Sequence, residues 1–134
     1  MRLFSLFITL YLFTHSAFAQ KEEYFFQLDV YKKQPTLFVS SIKTYACSNY
    51  GIFIRQGWSG DTLVVNIIGI DSRQNCNHVI GTAKEWLPIN GISSEVFFLR
   101  ILWEKKVNTF NIEFDGENFD VDAVQSDFIV HVTN

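Results

Sequence analysis

The chain has 134 residues, of which 48% are hydrophobic, 19% charged and only 2 proline. That length holds one domain, and that composition excludes a disordered or low-complexity chain. A formal net charge of −3 removes the basic footprint on which sequence-independent nucleic-acid binding depends.

The first segment reads as an export signal. Arg2 is a minimal positive n-region, Leu3 to Phe13 an apolar h-region, and Ala17-Phe18-Ala19 a small-x-small cleavage site before Gln20. The apolar run is too short to cross a hydrocarbon core of roughly 30 Å as a helix. No later stretch resembles a transmembrane helix, and the short chain ending in Asn134 fits an outer-membrane barrel poorly. The expectation is therefore a signal peptide over residues 1–19 and a single domain over 20–134, exported to the periplasm, the cell surface or beyond. The short signal and the lack of any Asn-x-Ser/Thr acceptor point to a bacterial envelope.

Alternation of apolar and polar residues dominates the rest of the chain, and that is the signature of strands. Tyr24, Phe26, Leu28 and Val30 alternate with Phe25, Gln27, Asp29 and Tyr31. Thr36 to Ile42 follows Pro35 as a second strand. Tyr45 to Arg55 forms a third around Gly51, which marks a bulge or turn. Gly57-Trp58-Ser59-Gly60-Asp61 reads as a turn into Thr62 to Ile70, an apolar run rich in β-branched residues. Asp71 to Asn77 is a polar loop. Lys84 to Ile89 is a short strand ending near Pro88, hence at an edge or a sheet switch. Ser94 to Trp103 is the strongest strand, and a turn through Lys105 to Asn108 leads to Thr109 to Phe114. Asp115-Gly116 is a hairpin signal, after which Phe119 to Ala123 and then Phe128, Val130 and Val132 close the chain. Eight or nine short strands with frequent turns and no helical period predict an all-β fold, a sandwich or a barrel.

Cys47 and Cys76 both lie in the exported part, and an even count in an oxidising compartment reads as one disulfide. The alternative is a Cys76 thiol served by His78 two residues on; export favours the bridge. The Cys-Asn-His segment has too few ligands for a structural zinc site.

Part of the chain resembles a known family. Glu85-Trp86-Leu87-Pro88-Ile89, the Asn90-Gly91 turn, Glu95 to Trp103, the basic turn and Thr109 to Phe114 resemble the closing strands of immunoglobulin-like modules of secreted bacterial proteins. The shared features are an apolar-Pro step, a long penultimate strand and a Lys/Asn turn into a last alternating strand. The chain departs from the pattern at Ser93-Ser94-Glu95, where Gly-Thr-Tyr is usual, and it continues for further strands. The resemblance implies an immunoglobulin-like antiparallel β-sandwich and nothing about function.

Chemistry has little to stand on. No serine lies in a Gly-x-Ser-x-Gly elbow, no Gly-rich loop could cradle a phosphate, and His131 sits between valines of a terminal strand. No catalytic residue, metal ligand or cofactor is assigned. Glu113, Asp115, Glu117, Asp120, Asp122 and Asp127 form an acidic stretch without EF-hand spacing, read as a solvated hairpin face.

Alternation fails in one place. Val96, Phe98, Arg100 and Leu102 are nearly as apolar as Phe97, Leu99, Ile101 and Trp103, whereas the outward face of a sandwich strand should be polar. With Phe25, Tyr31 and Ile129, the residues Phe98, Arg100 and Leu102 would make a second apolar surface of the kind that docks another protein. The expected function is non-catalytic: an accessory subunit or small inhibitor binding another envelope or secreted protein. The alternative is a glycan-binding module using Trp58 in its polar turn, with Trp86 and Trp103 in the core.

Overall fold

Burial with period two decides the architecture. A computed structural model describes residues 24–126 and 130–133, so the expected signal peptide (1–19) and Ile129 lie outside the described residues. Nine strands and no helix are found there: β1 (Tyr24–Tyr31), β2 (Gln34–Tyr45), β3 (Gly51–Ser59), β4 (Thr62–Asp71), β5 (Gly81–Pro88), β6 (Val96–Trp103), β7 (Lys106–Phe114), β8 (Phe119–Ser126) and β9 (Val130–Thr133). They form two sheets, a four-stranded one in the order β5-β2-β1-β9 and a five-stranded one in the order β3-β4-β6-β7-β8. The expected all-β sandwich is what the chain forms. Most neighbours are antiparallel; β1 with β9 and β4 with β6 run parallel.

The core is the interleaving of the two inner faces. Tyr24, Phe26 and Leu28 of β1 with Leu37 and Val39 of β2 meet Leu63, Val65 and Ile67 of β4, Phe97, Leu99 and Ile101 of β6, and Phe110 and Ile112 of β7. Burying one such side chain stabilises by roughly 1.5–3 kcal/mol. Tyr24 meets Trp103 edge-on across the layers, with ring centroids 5.7 Å apart.

The β2–β5 pair joins strands far apart in sequence. Its register shifts between Ser40 and Thr44, and the buried Ser41 hydroxyl fills the gap. That hydroxyl accepts the Ala83 N–H at 2.9 Å and donates to the Lys43 carbonyl at 2.8 Å. Beyond the bulge, Cys47 and Cys76 form the expected disulfide across a sequence separation of 29. Loop closure of that size is worth about 3–4 kcal/mol in the chain-entropy model. The bridge also consumes the thiol that a Cys76–His78 dyad would need. Asn77 reinforces it, its side-chain oxygen accepting the Ser48 N–H and its amide donating to the Ser48 hydroxyl.

The β1–β2 turn works against its own residues. Tyr31 pairs with Gln34, so Lys32 and Lys33 alone make the β1–β2 turn, with φ of 48° and 65°. A two-residue hairpin with positive φ at both positions favours Asn-Gly, and side chains larger than Asn are strained there. Replacing Lys32→Asn together with Lys33→Gly should stabilise the protein by roughly 1–2 kcal/mol. Thermal unfolding checks this; an unchanged or lower midpoint would show that the turn is unstrained.

Candidate binding face

The same parity that builds the core determines what points outward from the four-stranded sheet. With Phe26 opposite Val39 on the inner face, Gln27 lies opposite Phe38, Asp29 opposite Thr36 and Tyr31 opposite Gln34 on the outer one. On the far side of β2, Phe38 faces Trp86, Thr36 faces Pro88 and Ser40 faces Lys84. The outer face thus gathers Tyr31, Phe38, Trp86 and Pro88 around a cleft. Tyr31 is 63% exposed and Trp86 61%, values at which large aromatics are not serving a core.

The cleft has a volume of about 500 Å³ and is lined by Tyr31, Gln34, Thr36, Trp86 and Pro88. Its wall is supported: the Trp86 ring leans on Phe38 with centroids 4.3 Å apart at 39°. Its floor is tied down. Gln34 Nε2 donates to the Pro35 carbonyl at 3.0 Å and the Ile89 carbonyl at 2.9 Å, and Thr36 Oγ1 donates to the Gln34 carbonyl at 3.0 Å. The main chain adds Ile89 N–H to the Pro35 carbonyl at 2.8 Å. These bonds lock the start of β2 to the end of β5, holding the two walls together.

The expected partner-contacting residues do not form one surface. Phe25 and Tyr31 lie on the outer face of the four-stranded sheet, whereas Phe98, Arg100 and Leu102 lie outward on β6 in the five-stranded sheet. The two outer faces point away from each other, so the sets are separated by the whole sandwich. Phe98 lies between Thr62 and Asn111, and Leu102 between Asn66 and Val107. Flanked on both sides in a central strand, both are half-buried, and Arg100 is exposed between them.

Trp58 also sits differently from its expected place. The turn there is only Gly60-Asp61, because β3 runs on to Ser59 opposite Thr62. Trp58 is a strand residue, half-buried, its ring edge-on to Phe97 at 5.4 Å and its indole N–H donated to the Asn90 carbonyl at 2.6 Å. Trp103 is half-buried and packs against the core, edge-on to Tyr24. Trp86 does not, and the signal that marks it was in the sequence: Lys84 and Pro88 share its parity on β5, and neither suits a core.

The acidic side chains of Glu113, Asp115, Glu117, Asp120 and Asp122 are exposed, and Asp127 lies outside the described residues. Glu113 lies opposite Asp120 across β7 and β8, a like-charge pair. Asp115 is a turn residue whose Oδ1 accepts the Glu117 N–H at 2.8 Å and the Asn118 N–H at 2.7 Å. Those bonds, Asn118's first, hold its carboxyl below the usual value. A depressed carboxylate stabilises most above its unfolded-state pKa, so its support of the turn is complete at neutral pH and fades on acidification. At the end of β4, the Arg73 side chain and backbone likewise lower Asp71. Among the described residues no group of three or more His, Cys, Asp or Glu could hold a metal ion, and no helix is long and apolar enough to cross a membrane.

Compared with known proteins, the chain matches no family model, no curated protein and no solved structure. The two tryptophans therefore separate by measurement. Trp58→Ala should lower stability by roughly 2–3 kcal/mol through lost packing and a lost hydrogen bond. Trp86→Ala should change it by less than about 1 kcal/mol. Urea unfolding of the two variants reads both, and equal losses would put Trp86 in the structural core.

Proposed function

We propose that this chain is an exported, non-catalytic protein-binding module, an accessory subunit or small inhibitor of a bacterial envelope or surface complex. The observation that carries the reading is the supported, exposed Tyr31–Trp86 cleft on the outer face of the four-stranded sheet. Tyr and Trp dominate binding energy at protein interfaces because each offers a large rigid area with few torsions to freeze. The contact surface in this reading comprises Phe25, Tyr31, Phe38 and Trp86, and the β6 residues Phe98, Arg100 and Leu102 lie outside it. Export is supported by the apolar leader with its Ala17-Phe18-Ala19 site and by a disulfide compatible with an oxidising compartment.

Glycan binding is the second reading, moved from Trp58 to Tyr31 and Trp86. Exposed aromatic rings flanking a cleft can stack on sugar rings as well as on peptide side chains.

Affinity capture from the native envelope tests the first reading. The wild-type protein should recover a larger protein stoichiometrically, Tyr31→Ala and Trp86→Ala should each lose it, and Phe98→Ser should keep it. Loss with Phe98→Ser alone, in a variant that still unfolds cooperatively, would move the docking surface to the five-stranded sheet. Recovery of the bare monomer, with Trp86-dependent glycan-array binding, would establish the second reading instead.

A further inference from the structure

Charge around the cleft narrows the kind of partner, on the footing of the protein-binding reading above. Lys32 and Lys33 form the turn at one end, with Lys32 Nζ 5.3 Å from the Tyr31 ring centroid. Lys84 projects from β5 on the same face as Trp86, opposite Ser40. All three lysines are exposed; the acids of this sheet among the described residues are Asp29, exposed between them, and Glu85, half-buried on β5 with its Oε1 on the Trp86 N–H. The chain as a whole is acidic at −3, yet Glu95, Glu113, Asp115, Glu117, Asp120 and Asp122 all belong to the β6–β8 part of the other sheet. The aromatic face is therefore locally basic on an acidic protein.

The strained turn adds to this. Asn-Gly would adopt positive φ at both positions at lower cost, so the fold alone gives no reason for two lysines there. Strained residues that the fold does not need are often kept for a function.

Hydrogen bonding inside the cleft favours a peptide side chain over a sugar ring. A glycan carries hydroxyls around its rings, and a site that reads them needs side chains free to pair with them. Here the Gln34 amide N–H groups and the Thr36 hydroxyl proton are already given to backbone carbonyls. An apolar side chain entering the cleft makes no such demand.

The β5 edge is closed to strand addition. The Lys84 N–H goes to the Tyr50 carbonyl, the Trp86 N–H is capped by Glu85 Oε1 at 3.2 Å, and Pro88 has no N–H. The ligand must lie on the face, across the strands' side chains, and not extend the ladder.

We propose that the Tyr31–Trp86 cleft binds an acidic, extended peptide segment of the partner. One apolar side chain enters the cleft, and Asp or Glu residues on either side of it reach Lys32 and Lys33 at one end and Lys84 at the other.

Selection of random linear peptides displayed on phage, against the protein purified in its exported, disulfide-bonded form, tests this. Enriched sequences should carry Asp or Glu on both sides of an apolar residue. Fluorescence anisotropy with a selected peptide should show affinity falling with salt. It should drop roughly tenfold when Lys32, Lys33 and Lys84 are changed to Gln together, as expected for three exposed charge pairs, and binding should be lost in Trp86→Ala. Lys32→Asn with Lys33→Gly should weaken the peptide while raising the melting temperature, a split that a merely structural role of the lysines would not produce. Peptides enriched without acidic bias, or affinity indifferent to the three lysines, would overturn the acidic ligand while Trp86-dependent partner capture left the protein-binding reading standing. Trp86-dependent glycan binding with no peptide enriched would overturn both, as would the absence of any Trp86-dependent ligand.

Discussion

Tyr24, Phe26 and Leu28 are almost completely buried between the sheets, and their burial fixes the parity of β1. In an extended chain a slip of one residue exchanges the two faces completely. It would bury Asp29 and Gln27 and expose three large apolar side chains, at a cost of several kcal/mol. The β1–β2 and β2–β5 registers pass this choice across the sheet, from Phe26 to Val39 and from Leu37 to Leu87. Once those residues are inside, Tyr31, Phe38 and Trp86 can only be outside. The inner face is already filled without them, so their size answers to something other than the fold.

Holding those three rings in one arrangement is harder than placing them on one face. Tyr31 and Trp86 come from strands separated in sequence by the whole β3–β4 hairpin and the polar loop after it. Closing so long a segment costs conformational entropy that non-local contacts must offset. The Cys47–Cys76 bridge removes part of that cost in the unfolded chain, Ser41 supplies the hydrogen bonds missing at the bulge, and Gln34 ties the far end of β2 to Ile89. Both ends of the β2–β5 pair are therefore anchored, with the cleft at one of them. A cleft fixed before the ligand arrives loses little freedom on binding.

Much of the fold was legible in the sequence because alternation records burial directly. Tyr24, Phe26 and Leu28 against Gln27 and Asp29, or Phe110 and Ile112 against Glu113, identify inward and outward residues without further information. Alternation does not record which layer a strand joins. Phe25 and Phe98 both read as outward apolar residues, and nothing local distinguishes one sheet's outer face from the other's. Layer membership depends on non-local pairing, such as β4 beside β6 across a strand of the opposite sheet. Trp58 misled for a different reason. Glycine on both sides suggested a broad polar turn, but Gly60 alone takes the positive φ a two-residue turn requires, leaving Gly57 in the strand. Trp86 is the opposite case: tryptophan is usually well buried, yet Lys84 and Pro88 on either side of it mark an outward face.

Separating charge between the two sheets has a consequence that neither net charge nor composition reveals. Sheets in a sandwich pack about 10 Å apart, and charges in physiological salt are screened over about 8 Å. The carboxylates of the β7–β8 hairpin and the lysines beside Tyr31 therefore act on solvent as largely independent surfaces. An acidic ligand approaching the aromatic face meets Lys32, Lys33 and Lys84 against the fewer carboxylates of Asp29 and Glu85, and is only weakly repelled by the protein's overall charge. If those lysines were scattered over both faces the same composition would present a repulsive surface everywhere. Two of the three stand in a turn whose backbone would be more comfortable without them, so at that turn the fold's preference and the surface's electrostatics pull in opposite directions.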